Sequence, residues 1–136
     1  MSDAAAAETA RGESGLGPRT ILSMVLAWLL PGAGHLYLGR PRRAALYLGI
    51  VMLMFFVGLQ LDGTLSRPVQ GRYLSYLAAL ADMGVGPLYW VSQAMGWGLG
   101  RVTAATHELG NAFHWTAGLL NMLLVLDAHD IAQGRK

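Results

Sequence analysis

The chain contains no cysteine, which removes disulfides, thiolate metal sites and cysteine nucleophiles from consideration. Charge is scarce too. Charged residues make up 13% of the 136 positions, against about 25% in a usual soluble domain. The net charge is only +2, and apart from one cluster the arginines are scattered. No basic stripe is interleaved with exposed aromatics, so nucleic acid is not indicated as a partner. No Ser-His-Asp arrangement is discernible. The glycines of Gly96-Trp97-Gly98-Leu99-Gly100 lack the preceding strand and the lysine of a phosphate-cradling loop. No cofactor is implied, and no enzymatic activity.

What the chain has instead is apolar length. Hydrophobic residues make up 54% of it. Residues 1–19 are rich in Ala, Gly, Ser and charge without apolar periodicity, and read as a disordered tail. Residues 20–136 read as one multi-span membrane domain. From Thr20 to Leu38 there is no Asp, Glu, Lys or Arg. At about 1.5 Å per residue this stretch approaches the roughly 30 Å of a hydrocarbon core. Pro31 interrupts it, which membrane helices tolerate when neighbours satisfy the freed carbonyl. A cleaved signal peptide is the rival reading, with Arg19 ahead of an apolar run and Pro31-Gly32-Ala33-Gly34 behind it. Against that, apolar character resumes at Leu36.

Gly39-Arg40-Pro41-Arg42-Arg43 reads as a turn, with Gly39 as a helix C-cap and Pro41 in the first turn of the next helix. Ala44 to Leu61 then carries no charge and is the cleanest span. The expected fold is all-α: a membrane helical hairpin, a third C-terminal transmembrane helix, and short interfacial helices. The spans fall at about 20–38, 42–61 and 108–130. Residues 72–99, broken by Asp82 and Gly84-Val85-Gly86-Pro87, fit two short helices that are interfacial or re-entrant. Their tyrosines and tryptophans suit the headgroup level.

Trp28-Leu29-Leu30-Pro31-Gly32-Ala33-Gly34-His35-Leu36-Tyr37-Leu38-Gly39-Arg40 resembles the hairpin signature of the TM-two (two-transmembrane-helix) domain over about residues 20–61. Leu36-Tyr37 stands where that family usually has a basic residue followed by Phe-Tyr. The leading Pro-Gly is closer to uncharacterised small bacterial membrane proteins with a Pro-Gly-x-Gly-x-x-Tyr-x-Gly turn. The resemblance implies a hairpin in a bacterial cytoplasmic (inner) membrane and no particular chemistry.

The small residues Gly32, Gly34, Gly39, Gly49 and Gly118 are candidates for close helix packing. Arg40, Arg42 and Arg43 are candidates for anionic lipid headgroups, or serve only as topology signals. His107, Asn111, His114, Gly118 and Asn121 follow steps of four and three and share one helical face. This polar seam reads as interhelical hydrogen bonding, or as a proton path, or as a metal site joined by His35. His35 itself reads as a helix-end histidine bonding a backbone carbonyl, or as a ligand, proton or headgroup contact. His107-Glu108 with His114 is not the zinc-protease pattern, whose second His follows four positions after the first. Asp127 and Asp130 read as solvated acids ending a span, or as a divalent-cation pair.

The expected role is a non-enzymatic scaffold or accessory subunit of a membrane assembly; the alternative is an ion or proton conduit along the seam. The partners are membrane lipids and a second copy or another membrane subunit.

Overall fold

The computed structural model describes residues 16–135. Among them every regular element is a helix. In chain order these are α1 (Pro18–Leu29), α2 (Ala33–Tyr37), α3 (Pro41–Gln60), α4 (Tyr73–Met83), α5 (Pro87–Ala94) and α6 (His107–Ala132). The expected N-terminal tail lies outside the described residues up to position 15, and its last two residues, Pro18 and Arg19, already belong to α1.

The continuous first span expected over 20–38 does not form. α1 is 12 residues long, about 18 Å at the helical rise, and stops short of a bilayer's thickness. The cause is local. Pro31 biases the residue before it away from helix, and Leu30 is extended at φ −142°, ψ 121°. Gly32 follows with a left-handed φ of 86°, and α2 folds back so that Gly34 lies against the Ser23 carbonyl and the Ala27 methyl. Tolerance of proline inside a membrane helix requires continuation on its far side, and Gly32 turns the chain instead.

The following turn has the anatomy its residues call for. Gly39 has a φ of 76°, its N–H donates to the Leu36 carbonyl, and the Arg40 N–H donates to the His35 carbonyl. That is a Schellman cap closing α2. Pro41 then opens α3, where its missing N–H costs nothing.

α3 and α6 are 20 and 26 residues long. By length and composition both are able to cross a membrane. They pack antiparallel: Gly58 of α3 meets His114 and Gly110 of α6, while the α2 end of α3 lies by Asp127. α1 packs on α6 as well. The core between these helices holds Val51, Phe55, Leu65, Val85, Tyr89, Ala117 and Leu124.

As the sequence indicates, residues 72–99 form two short helices. Their turn is seated at the middle of α6: a Cβ on Gly84 would strike the Gly118 carbonyl, and one on Gly118 would strike the Ala81 carbonyl. Gly86 lies against the Trp28 carbonyl. Of the packing glycines expected from sequence, Gly32, Gly34 and Gly118 make such approaches. Gly58, expected from sequence with Gly49 as a flat site on the second span, also makes a close approach; Gly39 and Gly49 have open space around their Cβ positions, and Gly63, Gly84 and Gly110 add close contacts.

Candidate functional site

The inner face of α6 organises the polar side chains. Its residues are spaced to share one face, and the apolar packing of α3 and α4 turns that face inward: His114 and Asn121 are fully buried and His107 nearly so. All but His114 then make local hydrogen bonds.

At the start of α6, His107 Nδ1–H donates to the Asp62 carbonyl at 2.8 Å. That fixes the tautomer, so Nε2 accepts from Asn111 Nδ2 at 3.2 Å. Asn111 Oδ1 accepts from the Thr64 N–H at 2.7 Å. The result holds residues 62–64 against α6. Asp62 also closes α3, with a φ of 59°, and the Gly63 N–H donates back to the Gly58 carbonyl. Its carboxylate takes a two-pronged bond from Arg101, with Nε and Nη2 each at 2.9 Å. This pairing holds the Asp62 carboxyl below its ordinary value and raises the Arg101 guanidinium.

One turn deeper lies Ser66, and three elements converge on it. Its N–H donates to Asp82 Oδ2 at 2.6 Å, its carbonyl accepts from the Tyr89 hydroxyl at 2.7 Å, and its hydroxyl accepts from Trp115 Nε1 at 3.3 Å. Asp82 is 1% exposed, and its Oδ1 has no hydrogen-bond partner. Burial pushes its carboxyl up to about 6, against the opposing bonds from Ser66. Burial likewise raises the Tyr89 hydroxyl.

At mid-helix Asn121 Nδ2 donates to the Gly84 carbonyl at 2.9 Å, tying the α4–α5 turn to α6. His114 lies between these ties with its ring 5.3 Å from that of Phe55. Neither of its nitrogens has a hydrogen-bond partner.

At the far end His35 is fully buried and its Nε2 bonds Asp127 Oδ2 at 2.9 Å. The backbone carbonyl expected as its partner is thus replaced by a carboxylate 92 residues away. The His35 ring packs edge-on to Tyr47 at 4.8 Å. Asp130 instead faces His129 at 3.4 Å and Arg135 at 3.7 Å, so the two acids at the end of α6 serve different partners. His35 stands at the Asp127 end and His107 at the Asp62 end, so they do not combine. Among the described residues no group of three or more His, Asp or Glu side chains is placed to hold a metal. Arg42 and Arg43 are exposed at the start of α3, and Arg40 is half-buried.

The sequence gives a signal for some of this and none for the rest. Asp82 is a lone acid in an apolar stretch, which marks it. Ser66 carries no mark, because its three partners lie 16, 23 and 49 residues along the chain.

A family of unknown function, DUF6677, matches over residues 22–136. No curated protein matches the chain, and neither does any solved structure.

Proposed function

We propose that this chain, which belongs to the DUF6677 family, is a small integral membrane protein with a non-enzymatic role, as a scaffold or accessory subunit of a membrane assembly. The observation that carries this reading is a division of labour among its side chains. His35, Asp82, His107, Asn111 and Asn121 each bind the chain to itself, while long apolar groups face outward on α1, α3, α4 and α6. Leu46 and Leu53 on α3 are 59% and 65% exposed, Leu77 on α4 is 63% and Leu123 on α6 is 60%. In water such a surface promotes association. In lipid it matches its solvent, and with α3 and α6 able to span the chain belongs in a bilayer.

The topology that fits is two spans. α1 and α2 then enter and leave on the side of Arg40, and α4 and α5 on the side of Asp62, reaching mid-depth at the Gly84–Pro87 turn. Such non-spanning pieces are tolerated where protein covers them, and the bonds from Asn121 and Ser66 supply part of that cover. A bacterial cytoplasmic membrane agrees with helical spans.

A proton or ion conduit is the second reading, and it rests on the unpartnered nitrogens of His114. The Phe55 ring and Gly58 of α3 pack directly on that residue, which favours the scaffold. Purification in mild detergent discriminates the two. The expected result is a stoichiometric membrane partner or a defined homo-oligomer, without proton flux after reconstitution into liposomes. A solitary chain whose proton flux disappears in His114→Leu would overturn the proposal.

A further inference from the structure

A cavity of about 380 Å³ opens where α3 ends, lined by Phe56, Leu59, Gln60, Asp62 and Trp97. Two helix ends supply its groups. The cap that closes α3 brings Asp62 to the cavity wall, and the cap that closes α5, where the Trp97 N–H donates to the Ser92 carbonyl at 2.8 Å, brings Trp97 to it. The cavity's apolar wall continues up α3 through Phe56, which is 46% exposed. By contrast, the cavity between Leu30 and Leu48 is lined by apolar residues and glycine alone.

We propose that this cavity binds the headgroup of a phosphoethanolamine lipid; this rests on the reading of α3 and α6 as membrane spans. The charge pattern selects the occupant. Arg101 commits its Nε and one Nη2 proton to Asp62, and its side chain is 76% exposed, so its remaining N–H groups face outward and suit a phosphate. Each Asp62 oxygen takes one bond from Arg101 and retains a lone pair. A primary ammonium donates into those lone pairs, inside a cavity that Trp97, 40% exposed, also lines. The Asp62–Arg101 pair thus offers a negative and a positive group side by side, the complement of an ammonium linked to a phosphate. A trimethylammonium has no N–H to donate, and a glycerol headgroup has no cation. The acyl chains follow Phe56 and Leu59 towards the bilayer core. The end of α3 is also the level at which such a headgroup sits if α3 spans.

The test is native mass spectrometry of the full chain, released from detergent with lipids of identical acyl chains and phosphoethanolamine, phosphocholine or phosphoglycerol headgroups. The unaltered chain should retain the phosphoethanolamine lipid at least about tenfold more tightly than the other two, a difference of about 1.4 kcal/mol. Asp62→Asn and Arg101→Gln should each erase that preference with helical content unchanged, and Arg135→Gln, beyond the opposite end of the bundle, should keep it. Equal retention of the three headgroups, or a preference for phosphoglycerol, would overturn the site. The headgroup series on the unaltered chain decides this even where a variant fails to fold. A chain that stays monodisperse without detergent would overturn the membrane reading and the site together. One that needs detergent but shows no preference would overturn the site alone.

Discussion

At the scale of single residues, Asp82 makes one contribution to stability depend on pH. Its carboxyl rises from 3.8 to about 6 on folding because burial disfavours the charge. The folded chain therefore holds a proton between about pH 4 and pH 6 that the unfolded chain has released. The contribution of Asp82 to stability is therefore greatest below about pH 4, falls as pH rises to about 6, and is level above. Asp82→Asn retains an acceptor for the Ser66 N–H and removes the charge. Thermal unfolding in detergent should find this variant equal to the parent at pH 4 and more stable at pH 7, by about 1–3 kcal/mol at roughly 1.4 per pH unit. A variant whose difference from the parent is the same at pH 4 and pH 7 would sink the argument. Asn121 makes a different case, since its amide serves one carbonyl. Asn121→Leu should cost about 0.6–2 kcal/mol, the range for membrane hydrogen bonds. Asn121→Asp should cost more, because an acid mid-helix carries about 2.5–3.5 kcal/mol on insertion scales. Melting temperatures of the two variants, measured side by side, check the order.

At the scale of elements, helix packing runs through glycines whose missing side chains admit another backbone. Gly118 admits the end of α4, and a methyl there would land on the Ala81 carbonyl. Gly118→Ala should destabilise the fold by about 1–3 kcal/mol, as overpacking does, and should loosen α4, which hydrogen exchange of residues 73–83 would register. Gly49→Leu meets only open space on its own chain, so it should leave the melting temperature of a monomer unchanged. A change in oligomer size with Gly49→Leu would place that face of α3 in a contact between chains; a melting temperature lowered in the monomer would contradict the open space. The contrast also shows what apolar periodicity conveys. The face of α6 was legible because its polar residues recur at helical spacing. The role of Gly49 was not, because a glycine on an apolar helix looks the same whether it meets a backbone or lipid. Likewise the uncharged stretch 20–38 advertises a span, and only the conjunction of an extended Leu30, Pro31 and a left-handed Gly32 makes it two pieces.

For the whole molecule, the loss of a first span changes which charges share a side. With three spans, Arg11 and Arg19 stand opposite the Arg40–Arg43 turn and the basic residues divide evenly. On the proposed two-span topology, Arg19, Arg40, Arg42, Arg43 and Arg135 share one side, against Arg67, Arg72 and Arg101. On that topology the positive-inside rule has a clear majority to act on, and it predicts that the start of α1, the α2–α3 turn and the end of α6 face the cytoplasm. The absence of cysteine makes single-cysteine labelling of intact cells clean. A cysteine at position 70 should react with an impermeant reagent added outside. Cysteines at positions 12, 42 and 135 should react only after the membrane is opened. Labelling at position 12 from outside, with position 42 protected, would restore a span through Pro31 despite the break seen there. Labelling at 42 from outside would instead invert the whole chain, and the phosphoethanolamine headgroup would then have to be sought in the inner leaflet.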